Sequence, residues 1–240
     1  MEMGRGAQLS TNSRPKGGNI VDVLTVTPRL LPRKLPRLVA APGRDLELLV
    51  MSTGPRHCAG IDLISGALVR AWCAEPVDQR LRPYDVAKVT VAANTDLVPD
   101  PSQPEAVATA GPPELAGRLT GRAARRLIAP LLHPESQPLL GTHSPAVPFW
   151  ERSRDHPSIA LVRPPQPLMV STEAERLWCH FPWLGREHVL SCTDPRLWAS
   201  LARSAKTWAL LRGGTIFVVA LAPPLDGHCH KVVEAVVPPR

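Results

Sequence analysis

Residues 227–238, GHCHKVVEAVVP, set two histidines around a cysteine, and a second His–Cys step stands at residues 57–58. Imidazole and thiolate are the donors that hold zinc, which makes His57, Cys58, His228, Cys229 and His230 the candidate ligands. Their spacing argues against coordination. Structural zinc sites draw two ligands two to four residues apart from each half, whereas neighbours on a strand point to opposite faces. The stretch therefore reads as a closing strand with a polar entrance. His230, Val232, Glu234 and Val236 face one way, and Lys231, Val233, Ala235 and Val237 the other, with valines on both faces as in a strand buried on both sides. Lys231 is expected near the strand's start, where it meets a carboxylate or a phosphate.

Nucleophilic and phosphate-handling motifs give no alternative. The chain has no GxSxG elbow, no phosphate loop ending in Gly-Lys-Ser/Thr and no HExxH. Glu151, Asp155 and His156 include an acid/base pair in principle, but adjacent residues in a proline-bounded loop read as a turn and a cap. No catalytic residue and no cofactor are assigned. A metal-dependent hydrolase built on the His/Cys cluster ranks behind binding functions.

The elements that position these residues are short. Prolines number 28 and glycines 16 in 240 residues, and this punctuation favours strands and loops over long helices. The formal charge of +7 resides mostly in residues 1–44, which carry eight Lys or Arg against two acidic residues and leave the remainder at +1. Attraction for phosphate is thus expected from a disordered basic tail over 1–44 more than from the body. Five cysteines without a CxxC pair point to a reducing, cytoplasmic setting, and no apolar run is long enough to span a bilayer.

Three strands are expected in a first β unit, 45–92: LELLVMS, ALVRAWC and VAKVTVA, joined by the loops PRHCAGIDLISG and AEPVDQRLRPYD. A Pro-rich linker covers 93–117, and a helix and loop cover 118–158. The leucine spacing in PPELAGRLTGRAARRLIAPLL predicts an amphipathic helix starting at Pro112–Pro113. Leu115, Leu119, Ala123, Leu127 and Leu131 lie on its buried side, and Arg118, Arg122, Arg125 and Arg126 on the other. A second β unit, 159–240, follows with IALVR, PLMVS, LWCHF, HVLSC, TIFVVAL and HKVVEAVVP. It includes a helix over 194–212 capped by Asp194, with Leu197, Trp198, Leu201, Ala205 and Trp208 on one side.

In that order, LELLVMS, RHCAGIDL, GALVRAW, YDVAKVTV and TIFVVALAPPLDGHCHKVV resemble the dual OB-containing domain of prokaryotic conflict-system and defence proteins. Cys58, Ala59 and Gly60 match its first motif, and Cys229 with Lys231 its Cys-x-Lys step. Arg70 before Ala71 and Trp72, and His230 beside the lysine, depart from the pattern. The resemblance implies a mainly β fold with minor α: two OB-like small barrels, an amphipathic helix between them and a helix near the C-terminus. It also implies non-enzymatic binding of a nucleic acid or nucleotide. OB folds hold single strands with a basic groove and aromatic stacking platforms. Arg70, Arg82, Arg118, Arg122, Arg126 and Lys231 are the phosphate candidates, and Trp72 and Trp183 the platform candidates. A protein–protein adaptor presenting the arginine helix is the alternative.

Overall fold

The computed structural model describes residues 38, 41–78, 80–93, 100, 103–152, 156–204 and 206–239. Most of the expected basic tail and Asp155 lie outside them. The first half contains β1 (Asp45–Thr53), β2 (His57–Asp62), β3 (Leu68–Trp72), β4 (Asp85–Thr90), β5 (Ala106–Ala108) and β6 (Glu114–Arg118), followed by α1 (Gly121–Ile128). The second contains β7 (Ala146–Pro148), β8 (Ile159–Val162), β9 (Met169–Glu173), β10 (Arg176–Trp183), β11 (Arg186–Cys192) and α2 (Pro195–Arg203). It ends with β12 (Trp208–Leu210), β13 (Ile216–Leu221) and β14 (His228–Val237). The chain is mainly β.

β1, β2 and β3 form an antiparallel meander, β3 pairs parallel with β5, and β4 returns antiparallel to β1. The bridge Val91–Thr109, flanked by bonds from Ala92 N–H to the Ala108 carbonyl and from Ala110 N–H to the Thr90 carbonyl, links the end of β4 to the end of β5. Strand order 1-2-3-5-4 with a parallel 3–5 contact is the OB arrangement, a five-stranded, partly open Greek-key barrel.

The second half repeats it. β9, β10 and β11 meander, β11 pairs parallel with β14, and β14 pairs antiparallel with β13. The fourth strand is split: β12 pairs with β9 while β13 pairs with β14, and α2 fills the connection from the third strand to the fourth.

Each β unit has its own core, and a third core joins them. Leu46, Leu48, Val69 and Val89 pack on one face of the first sheet, while Phe181, Leu190, Phe217 and Val219 pack inside the second. Leu49, Met51, Ala59 and Ile61 of the first unit pack against Ile216, Val218, Ala235 and Val237 of the second, with Ala124 and Ile128 of α1 alongside. β13 is buried on both faces for this reason. The register of β14 slips between Val218 and Val219, which leaves Glu234 as the extra, bulged residue. Across it Val233 packs into the second barrel, whereas Ala235 and Val237 face the first unit. A bulge re-aims side chains in this way.

Four local expectations change. HCAGID, expected within the loop PRHCAGIDLISG on account of its turn formers, forms β2, and all its residues after His57 are buried. Its small side chains have a packing reason: a Cβ at Gly60 would lie 2.7 Å from the Leu49 carbonyl oxygen of β1. The expected linker contains β5 and β6, whose backbones pair with β3 and β4.

The helix expected from Pro112 begins only at Gly121, because Gly121 has φ +62°, outside helical space, and Thr120 before it is extended. Leu115 stays 66% exposed on β6, and α1 buries Ala124 and Ile128 rather than Ala123. Likewise the helix expected to reach residue 212 ends at Arg203, since the chain at Trp208–Leu210 takes up the ladder to β9 instead.

Asp194 occupies the expected N-cap and does more than cap. Its Oδ1 accepts from Arg196 N–H (2.9 Å), and its Oδ2 accepts from Val236 N–H of β14 (2.9 Å). Asp194→Ala removes the cap and strands a buried strand amide, so unfolding in urea should show a loss of about 2 kcal/mol with an unchanged m-value.

Candidate nucleic-acid interface

β10 is the most regular amphipathic strand of the chain. Leu177, Cys179, Phe181 and Trp183 are buried, while Arg176 is exposed and Trp178, His180 and Pro182 are half-buried on the other face. The strand register carries this face across four strands. Trp208 of β12 lies opposite Ser171 of β9, Ser171 opposite Trp178 of β10, and Trp178 opposite Ser191 of β11. The next row is Leu210, Met169, His180 and Val189. Trp208 is 57% exposed, and Leu210 and Val189, at the two ends of the second row, are exposed as well. The His180 Nε2 and the Ser171 hydroxyl share a hydrogen bond of 2.7 Å, which fixes the ring on this face.

The outer face of β12, β9, β10 and β11, strands 1 to 3 of the second barrel with the first piece of its fourth, thus presents two indoles and an imidazole in an apolar setting. Strand neighbours lie about 4.8 Å apart, so the indole rows at Trp208 and Trp178 are separated by about 10 Å. At one end Arg176 stands opposite Glu173. Between the turn at Ala174 and Glu175 and α2 is a pocket of about 210 Å³, walled in part by the half-exposed Trp198 and by Lys206.

Sequence reasoning placed the platform elsewhere. Trp183 is 2% exposed, and its indole N–H donates to the Gln137 carbonyl (2.8 Å), so it is a core residue. Trp72 is half-buried against His57, with ring centroids 4.7 Å apart. The signal for Trp178 was present in RLWCHFPW, whose strict alternation separates Trp178 and His180 from Leu177, Cys179 and Phe181. Trp208 was hidden by its helical spacing from Trp198 and Leu201.

Two cationic candidates also move inward. Arg70 is 2% exposed, and its guanidinium meets Glu234 Oε1 at 3.1 Å. Ser52 donates to Glu234 Oε2 (3.2 Å), and His57 Nε2 lies 3.6 Å from Oε1. The bulges at Met51 of β1 and Glu234 of β14 bring these groups together between the two units. Burial would raise the Glu234 pKa, but the Arg70 guanidinium and the His57 and Ser52 contacts outweigh it and hold the carboxyl down at about 2.

Lys231 is likewise 2% exposed, and its Nζ donates to the Thr142 carbonyl (2.6 Å). Both side chains are buried because alternation on β3 and β14 points them inward, so neither is a surface phosphate contact.

Arg118, Arg122 and Arg126 remain exposed, as does Arg82. Arg118 is tied to Asp85 Oδ1 (2.7 Å), which also anchors the Arg82 backbone N–H through Oδ2 (2.8 Å). These arginines belong to β6, α1 and the approach to β4, away from the β9–β12 face in strand order.

The five metal candidates are not assembled. Cys58 and Cys229 are buried, and burial pushes the Cys58 thiol up to about 12. His228 and His230 are exposed on the opposite side of β14 from Cys229. Among the described residues no group of three His, Cys, Asp or Glu side chains is placed to hold a metal ion.

Two five-stranded units of order 1-2-3-5-4, one of them with a helix before its fourth strand, define a dual OB protein. The chain belongs to the dual OB-containing domain family, DuOB, which it matches over residues 51–236. No curated protein and no solved structure matches it. Among the described residues no helix is long and apolar enough to cross a membrane.

Proposed function

We propose that the chain binds single-stranded nucleic acid on the outer face of β9–β12. One observation carries the reading: Trp178 and His180 lie on the solvent side of the strand 1–3 meander, and Trp208 continues that face onto β12; OB folds bind unpaired strands over their strand 2–3 face and stack bases on its aromatics. Base–aromatic stacking tolerates any sequence, which fits a face that offers few hydrogen-bonding groups beyond Ser171, Ser191 and His180. Arg176 at the end of the face supplies a phosphate contact. The arginines of β6 and α1 add nonspecific attraction.

Fluorescence anisotropy with labelled oligo(dT) and oligo(U) tests this. Trp178→Ala and Trp208→Ala should each weaken binding about tenfold to a hundredfold, the size of one lost stacking contact, while leaving the unfolding transition in place. A variant lacking residues 1–43 should retain binding with a shallower dependence on salt, because it loses cations but keeps the stacking face. Equal affinity for the alanine variants and the parent protein would sink the proposal.

A further inference from the structure

The other side of β11 carries a second feature. His188, Leu190 and Cys192 point into the second barrel, as do Cys229, Lys231 and Val233 of the neighbouring β14. The parallel ladder between these strands is confined to Ser191–Val232 and Cys192–Val233. Towards Lys231 and His188 the strands have no ladder between them, and Thr142 and Pro145 of the segment 132–145 supply partners to Lys231 instead. Lys231 donates its backbone N–H to the Pro145 carbonyl (2.9 Å) and its Nζ to the Thr142 carbonyl.

The groups gathered here are one-sided in charge. Lys231 is buried and, among the described residues, has no carboxylate partner. Its ammonium has three N–H donors, and among the described residues a single protein acceptor is seen for them. His188 is 7% exposed, stacked on Phe181 with ring centroids 5.7 Å apart, and its buried Nε2 has no hydrogen-bond partner among the described residues. His133 and His143 from the covering segment and Arg186 from β11 complete the surroundings, and each shares the field of Lys231 or His188. A buried cation and an unpaired ring nitrogen without a balancing acid cost free energy unless something negative or hydrogen-bonding meets them.

We infer that this end of the second barrel is a binding site for a phosphate-class oxoanion, held by Lys231 Nζ and His188 Nε2. The anion takes the place of the Thr142 carbonyl at the ammonium, under the cover of residues 132–145. Leu140 and Gly141 in that cover both have positive φ, at 49° and 82°, which marks a tight turn directly before Thr142. Inorganic phosphate and the terminal phosphate of a nucleotide share this chemistry. The site is separate from the β9–β12 outer face and does not depend on it.

Thermal unfolding of the full chain against phosphate concentration, at constant ionic strength in KCl, tests the inference. Phosphate should raise Tm saturably in the parent protein. Lys231→Met keeps the aliphatic stem and should weaken the apparent affinity at least tenfold, and His188→Phe should weaken it less. Raising pH from 7 to 10 should abolish the response as the ammonium loses its proton beside His133, His143, His188 and Arg186.

Thymidine, thymidine 5′-monophosphate and inorganic phosphate distinguish the sources. A response to the monophosphate exceeding both others assigns a terminal phosphate, and equality with inorganic phosphate assigns the free anion; either supports the site. A Trp178→Ala/Trp208→Ala double variant should respond to phosphate like the parent, so this site and the stacking face fail independently. Absence of a saturable shift, or an equal shift in Lys231→Met, overturns the inference.

Discussion

Replacing Glu234 by glutamine should destabilise the protein by about 3–5 kcal/mol, the cost of leaving one member of a buried ion pair without its partner. The isosteric change leaves the packing between the two β units intact but removes the charge that compensates Arg70, which is 2% exposed. The companion experiment is the double variant Arg70→Met/Glu234→Leu. The Arg70 Nε is buried without a hydrogen-bond partner among the described residues, so the pair is imperfectly satisfied. An apolar replacement of both should recover most of the loss and define a coupling energy in a double-mutant cycle. Urea denaturation of the parent, Glu234→Gln, Arg70→Met, Glu234→Leu and the double variant measures both effects, and an Arg70→Met/Glu234→Leu protein as unstable as Glu234→Gln would refute the charge argument.

The acid limb follows from the same contact. Glu234 titrates at about 2 when folded and near 4.5 when unfolded, so the unfolded state binds the proton first as pH falls. Its contribution, about 3 kcal/mol for a shift of that size, is full above pH 4.5 and is lost between 4.5 and 2. Glu234→Gln should remove that part of the acid dependence.

How much of this was legible in the sequence depended on whether a signal was local. Asp194 before Pro195 announced its cap because capping is settled by the backbone within three residues. RLWCHFPW announced both faces of β10 through period-two alternation. HCAGID did not announce β2, since its small residues are chosen by the approach of β1, a neighbour that alternation does not describe.

The leucine series in 112–131 suggested one long helix, but Gly121 in left-handed conformation starts α1 anew, and the preceding residues find hydrogen bonds on β4. Arg70 and Trp72 share a face, which the sequence does show. What it does not show is that a second β unit covers Arg70 and that the bulge at Glu234 aims a carboxylate at it. A buried charge pair between residues 164 positions apart in the chain is a tertiary fact with no local trace.

Lys231 gives the opposite pH behaviour. Burial lowers its pKa from 10.5 to about 8, so between these values the unfolded chain holds a proton that the folded chain has released. Stability must therefore rise with pH across that window, because unfolding takes up a proton there. The penalty for burying the ammonium is fully present below pH 8 and amounts to about 3 kcal/mol for a shift of this size. It is relieved as the folded-state lysine becomes neutral.

Other groups also ionise in the alkaline range once the chain is unfolded, so the raw profile mixes several groups. The difference between the parent and Lys231→Met isolates one of them. In phosphate-free buffer Lys231→Met should be the more stable protein at pH 7, with the gap closing towards pH 10.5, since methionine fills the same volume without a charge to desolvate. Lost hydrogen bonding to Thr142 works against this by about 1 kcal/mol, which leaves the sign unchanged. A parent protein whose margin over Lys231→Met grows from pH 10 down to pH 7 would instead require a carboxylate or bound anion beside the ammonium in the folded state. Dialysis against phosphate-free buffer separates those two causes, because only the anion can be removed.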